Sequence, residues 1–158
     1  TGLYDQHWAQ EKFDRLLRRG IMGKKPGCLL TVEMDKSKEF TRKHGQIGGD
    51  QALRDIAHTI LSCLRPDDQA GRHSGEKFAI FLPNTSMPDA CTAAERLRAA
   101  VSLSLVVLPS GDALPAITVS IGIGQARQND TLISLFARAD EALRLAKDSG
   151  GNRVQSML

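Results

Sequence analysis

The chain has 158 residues, 41% of them apolar and 25% charged, with a formal net charge of +3 at pH 7. That length suffices for one domain with a real core, and that composition is the one expected of a folded soluble domain. So small a positive surplus gives no argument for a nucleic acid polymer or a membrane surface as partner, and no apolar run approaches the roughly 20 residues of a membrane span.

The three cysteines, Cys28, Cys63 and Cys91, are scattered and odd in number. They make neither a zinc spacing nor a disulfide framework, which suits a reducing cytoplasm. The chain opens on Thr1 with no signal-peptide pattern, and is expected to be a single domain, residues 1–158, cut from a longer signalling protein.

Residues 5–19 read as a helix, with Ala9, Phe13, Leu16 and Leu17 at helical spacing, broken by Gly20 and Lys24-Lys25-Pro26-Gly27. Trp8 and Tyr4 are expected to pack this helix against the body. Cys28 to Met34 is a nearly continuous apolar run, as for a strand buried on both faces. A short polar helix is expected over 36–44 and a stronger one over 49–64, where Ala52, Leu53, Ile56, Ala57, Ile60, Leu61 and Leu64 form one stripe. A hairpin follows: one arm near 69–73, a Ser74-Gly75 turn, a second arm over 76–82. Pro88 and Asp89 start a helix to about 102. The segment 103–115, with Pro109, Gly111 and Pro115, reads as a loop. Ile117, Val119, Ile121 and Ile123 alternate with small residues as a strand with two different faces, and Thr131 caps a last helix over 132–147. The order α, β, α, α, β, β, α, β, α predicts an α+β fold: a sheet with a βαββαβ core and helices packed against it.

Two carboxylates stand out by position. Glu33 lies near the end of the buried strand, and Glu76 follows the hairpin turn. If the two strands are neighbours, both reach one point above the sheet edge, where oxygen ligands suit Mg²⁺ together with substrate phosphates. Solvated charges at two strand ends are the other reading. The turn Arg65-Pro66-Asp67-Asp68 also has two readings. It is either a polar helix end or a guanine reader, in which the guanidinium fork donates to O6 and N7 and the carboxylate accepts from the opposite edge. The four histidines, His7, His44, His58 and His73, form no triad or metal spacing and read as structural or surface residues.

Taken in order, these stretches resemble the GGDEF domains, the family of the diguanylate cyclases. "TGLYD" at 1–5 resembles the family's opening "LTGLxN". "VEMDKSKEFTRKHGQIGGDQAL" at 32–53 resembles "LDIDxFKxxNDxxGHxxGDxxL" without a gap. "GRHSGEKFAIFLP" at 71–83 resembles "xRxGGDEFxxxLP". "TVSIGIG" at 118–124, "ADEALRLAK" at 139–147 and "GNRV" at 151–154 resemble the last strand, the last helix and the end. The resemblance implies a nucleotide-cyclase-like fold with a central, mostly antiparallel sheet. It also implies dimeric chemistry in which two GTP molecules condense to cyclic di-GMP and pyrophosphate, with metal ions bridging the phosphates.

Carried over by position, the family's metal-binding acid falls on Glu33 and the signature's acidic third residue on Glu76. The guanine-reading Asp falls on Asp50, and the guanine-reading Asn on Thr41. The apolar residue of the first-helix motif falls on Ser37, its Lys on Lys38, and the His of the following motif on Gln46. The phosphate-binding Lys of the last helix falls on Lys147. The departures are concentrated at the signature. Its first Gly is Ser74, which puts a side chain where the backbone must approach phosphate. Its second acid is Lys77, a two-charge change at the metal position. The Arg four residues beyond Lys147 is Gly151. Glu33, Asp50 and Glu76 therefore read as vestiges of a catalytic site, and Lys38, Thr41, Asp50 and Lys147 as remnants of a GTP site. Each lost hydrogen bond to a charge costs about 1.5–3 kcal/mol, so several together lower a rate by orders of magnitude.

Many family members also carry an inhibitory RxxD site for cyclic di-GMP, ending five residues before the signature. Arg65 and Asp68 stand at that spacing, and Arg96 falls where a further Arg of the next helix helps bind the dinucleotide. Arg98 is a second candidate for that role. The resemblance thus implies a catalytically inactive cyclic di-GMP receptor, cytoplasmic and homodimeric, with ligand promoting the dimer. It needs no cofactor, and Mg²⁺ enters only with GTP. The alternatives are a weak cyclase inhibited by its product and a nucleotide-free scaffold for dimerisation or docking.

Overall fold

The computed structural model describes Leu3 and residues 5–157. A five-stranded sheet of order β2-β3-β1-β6-β7 organises it. Its strands are β1 (Cys28–Met34), β2 (Gln69–Ser74), β3 (Lys77–Leu82), β6 (Val119–Gln125) and β7 (Val154–Met157). β1 is central, antiparallel to β3 on one side and to β6 on the other, and β7 runs parallel to β6. A separate two-stranded ribbon joins β4 (Val106–Val107) to β5 (Ala113–Leu114). The helices are α1 (Gln6–Met22), α2 (Ser37–Cys63), α3 (Met87–Leu103) and α4 (Leu132–Asp148).

Alternation along the strands assigns their side chains to two cores. Leu30, Val32, Phe78, Ile80, Ile121 and Ile123 bury with Ile56 and Ile60 of α2 and Ala94 and Leu97 of α3. Leu29, Ala79 and Phe81 bury on the other face with Phe13 and Leu17 of α1 and Leu135 and Ala139 of α4. The small residues foreseen in β6 have a definite use. A Cβ on Gly122 would fall 2.3 Å from both the Ala139 carbonyl oxygen and the Leu143 amide nitrogen, so α4 lies directly on the strand backbone.

Several expectations need correction. α1 continues through Gly20 to Met22 and stops at Gly23, because a single Gly costs a helix only about 1 kcal/mol. Trp8 does not pack α1 to the body: it is 61% exposed, while Ala9, Phe13 and Leu17 make the contact. The matching expectation for Tyr4 falls outside the described residues. The two helices expected over 36–44 and 49–64 form one helical segment, bent at Gly45, whose φ of 74° and ψ of 176° lie outside the helical region. The loop expected over 103–115 contains the β4–β5 ribbon, with Val106 fully buried. The strand expected from Ile117 begins at Val119. The α+β class, the βαββαβ order and the hairpin stand as expected.

Candidate functional site

The signature hairpin is braced on three sides. The ladder between β2 and β3 shifts register between Arg72 and Ser74, so His73 is the extra residue of a bulge. Bulging turns its ring toward α4, where it stacks on Phe136 with centroids 4.3 Å apart. Arg72 lies over the Phe78 ring at 5.0 Å and donates to the Gly75 carbonyl at 2.6 Å. Gly75 takes the turn at φ 42°, and a Cβ there would meet open space. Lys77 Nζ lies 3.4 Å from Asp140 on α4.

Glu33 lies on β1 and Glu76 in the turn just before the neighbouring β3, but each already has a partner. Glu33 pairs in register with Lys77 across the β1–β3 ladder, and its Oε1 accepts from Lys147 Nζ at 2.7 Å. Glu76 accepts from the Ser37 hydroxyl in the first turn of α2. Ser37 is one of the departures from the family pattern, and it satisfies the acid that the signature retains. A cavity of about 250 Å³ opens here, walled by Glu33, Lys77, Asp140, Arg144, Lys147 and Asp148. Among the described residues, no group of three or more His, Cys, Asp or Glu side chains is placed to hold a metal ion.

The remaining GTP-site candidates divide. Lys38 is exposed on the first turn of α2. The Gly45 bend brings Thr41 against the next stretch of helix, where a Cβ on Gly49 would lie 2.5 Å from its Oγ1. Asp50, the neighbour of Gly49, accepts from Gln46 at 2.8 Å and lines a cavity of about 200 Å³ with Leu53, Arg54 and Arg72. Thr41 thus packs beside the residue that precedes Asp50, and Asp50 lines a different cavity from Glu33 and Lys147.

Asp35 holds this end of the fold together, a role the sequence reading missed. Its carboxylate accepts from Thr118 at 2.6 Å, from Ser120 at 2.5 Å and from the Asn152 amide at 2.8 Å. The signal was present in its position, one residue beyond a buried strand, but its partners lie more than 80 residues away. Gly151, which stands where the family has an Arg, sits beside it at φ 73°, with a Cβ position 2.9 Å from Asp35 Oδ1.

The second site lies at the far end of α2. Leu64 leaves the helix in an extended conformation, and the turn folds back on itself. The Arg65 amide donates to Asp68 Oδ2 at 2.9 Å, and its Nη2 donates to Asp68 Oδ1 at 2.9 Å. The Asp68 side chain is 4% exposed and that of Arg65 57%. That hydrogen bond raises the Arg65 pKa further above its usual value. Nη2 also donates to the Thr85 hydroxyl at 2.7 Å, a partner the sequence reading did not foresee. On α3, Arg96 is exposed and has no hydrogen bond or ion pair among the described residues. Arg98 is engaged, donating to Glu95 at 3.1 Å and to Asn152 at 2.8 Å. Beside the turn, Lys12, Arg19 and Lys25 face Pro66 and Asp67 across a cavity of about 390 Å³.

An α+β sheet of this order, with one charged cavity at its signature hairpin and an Arg–Asp turn at the other end of α2, places the chain in the nucleotide-cyclase-like class. Within that class it belongs to the GGDEF family: the family described as "Diguanylate cyclase, GGDEF domain" matches residues 1–153. The chain is 35% identical over 155 residues to the response regulator PleD of Caulobacter vibrioides, covering 98% of this chain and 34% of that protein. It is 40% identical over 126 residues to the diguanylate cyclase DgcM of Escherichia coli, covering 80% of this chain and 30% of that protein. It superposes on the GGDEF domain of DgcB from Caulobacter crescentus, solved in complex with c-di-GMP, with a TM-score of 0.93 and 31% identity, covering 99% of this chain and 92% of that one. The chain spans about a third of the length of these curated relatives. No helix among the described residues is long and apolar enough to cross a membrane.

Proposed function

We propose that this domain has lost cyclase chemistry and serves as a cytoplasmic receptor for cyclic di-GMP through Arg65, Asp68 and Arg96. The observation that carries the first half is the ammonium of Lys147 on Glu33, with Lys77 paired opposite. A site for Mg²⁺ and triphosphate concentrates carboxylates, since the ion keeps octahedral oxygen ligands and bridges phosphates. Around the cavity three carboxylates, Glu33, Asp140 and Asp148, meet three cations, Lys77, Arg144 and Lys147, leaving no net charge to attract a divalent cation, and Glu33 and Glu76 each have a protein partner already. The donor set does not fit the ion. Ser74 and Gly151 remove further parts of the phosphate cradle.

The second half rests on the Arg65–Asp68 turn, the exposed Arg96 and the complex formed by the structurally similar DgcB domain. A guanidinium oriented by a buried carboxylate suits a guanine or phosphate, and a second Arg supplies charge for the other phosphate. A weak cyclase is the second reading, favoured by the retained acids Glu33, Asp50 and Glu76. Two assays on the same preparation separate them. Calorimetric titration with cyclic di-GMP gives saturable heat that Arg65→Ala abolishes if the domain is a receptor. Incubation with GTP and Mg²⁺ or Mn²⁺ that yields cyclic di-GMP above a Glu76→Ala control overturns the loss of catalysis.

A further inference from the structure

Of the five N–H donors of Arg65, three are engaged. Nε lies 3.2 and 3.3 Å from the two Asp68 carboxylate oxygens, and Nη2 serves Asp68 Oδ1 with one hydrogen. The other Nη2 hydrogen goes to Thr85 Oγ1 at 2.7 Å. Nη1 alone has no partner among the described residues. A guanidinium reads guanine O6 and N7 with one hydrogen from each of two neighbouring nitrogens. With the Nε–Nη2 edge held by Asp68, that fork is the Nη1–Nη2 edge, and Thr85 occupies half of it.

Thr85 does not yield readily. It is 4% exposed, and its hydroxyl donates to the Pro83 carbonyl at 2.9 Å, which aims the oxygen lone pairs at Arg65. Its amide donates to the Pro26 carbonyl at 3.0 Å, and its carbonyl accepts from Cys28 Sγ at 3.4 Å. Burial, reinforced by Cys91, pushes the Cys28 pKa up to about 12, so that thiol stays a neutral donor. Thr85 is anchored within the fold, and the guanidinium, with its 57% exposed side chain, is the partner open to a ligand.

We infer that Thr85 is the latch of the clasp. Its hydroxyl holds the Nη2 hydrogen that Arg65 needs for a guanine, and an incoming cyclic guanine dinucleotide displaces that hydroxyl. The inference rests on the reading of the Arg65–Asp68 turn as the dinucleotide site and names what sets its affinity. Asp68 orients Arg65 for binding, while Thr85 competes with the ligand for it.

Cyclic di-GMP is titrated by calorimetry into wild type, Thr85→Val, Thr85→Ser and Arg65→Ala. Valine keeps the branched shape and removes the acceptor. It is expected to tighten binding about 3- to 10-fold, the worth of one net hydrogen bond that the ligand no longer breaks. Serine keeps the hydroxyl and is expected to match wild type. Valine binding equal to or weaker than wild type, with Arg65→Ala inactive, overturns the latch and leaves the receptor reading intact. Failure of wild type to bind overturns both. A second readout needs no ligand: nitrogen-15 spectra of the Arg65 side chain, assigned with Arg65→Ala. The Nη2 hydrogen that faces Thr85 is expected to keep its chemical shift in Thr85→Ser and to move upfield in Thr85→Val, while the one held by Asp68 stays in place. An unchanged shift in the valine protein contradicts the latch. Should the valine protein not fold, Thr85→Ala answers the same two questions.

Discussion

Lys147 of α4 places its ammonium nitrogen 2.7 Å from the carboxylate of Glu33 on β1, 114 residues away in sequence. The family resemblance assigns both residues to the GTP site as an expectation; in the structure they pair with each other. Lys77 stands opposite Glu33 in the ladder and ties the hairpin to Asp140. The cavity therefore resembles an internal salt-bridge network more than a metal site. Cyclic di-GMP formed from GTP and Mg²⁺ is expected at the level of the Glu76→Ala protein, several orders of magnitude below an active cyclase. Chromatography of the reaction mixture checks it.

Gly122→Ala tests the contact that carries α4 on the sheet. The added methyl meets backbone atoms at 2.3 Å on two sides. Backbone cannot rotate away as a side chain does, so overpacking costs about 3 kcal/mol, near the upper end of its usual range. Urea unfolding is expected to show a lower midpoint with an unchanged slope.

His73 makes stability depend on pH. Its bulged ring is packed on Phe136, and burial lowers its pKa from the ordinary 6.5; Lys77 lowers it further and Asp140 opposes the shift. The unfolded chain therefore binds a proton at a higher pH than the folded one. Stability is fully present above pH 6.5 and declines as pH falls through the lowered folded value. His73→Phe keeps an aromatic stack and removes the titration. Unfolding midpoints compared at pH 7.5 and 5.5 are expected to fall more for wild type than for the phenylalanine variant.

Much of the fold was legible because strong periodicity survives any context: the buried β1 run, the α2 stripe, and the β6 alternation of Ile with Gly. What escaped was set by distant partners. Trp8 sits on a helical face but points to solvent, since Ala9, Phe13 and Leu17 already fill the α1 contact. The strand β7, Val154–Met157, is short and half polar, and only its parallel pairing with β6 makes it a strand. At the sites, residue types marked the candidates but not their commitments. That Ser37 would satisfy Glu76, or Thr85 hold Arg65, depends on loops meeting across 39 and 20 residues.

Cyclic di-GMP has two guanines and two phosphates and is able to join two protein surfaces. The exposed Arg96 and the Lys12, Arg19 and Lys25 groove beside the turn provide charge for a shared ligand. Ligand is expected to raise the dimer fraction. Sedimentation velocity at saturating dinucleotide, with Arg65→Ala alongside, checks this; an unchanged profile for wild type contradicts it.

The most direct measurement is a crystal structure grown with cyclic di-GMP in excess. Dinucleotide bound by Arg65, Asp68 and Arg96, with Glu33 still paired to Lys147, is the expected result. An empty Arg65–Asp68 turn, or dinucleotide seated only in the cavity of Glu33 and Lys147, would contradict it.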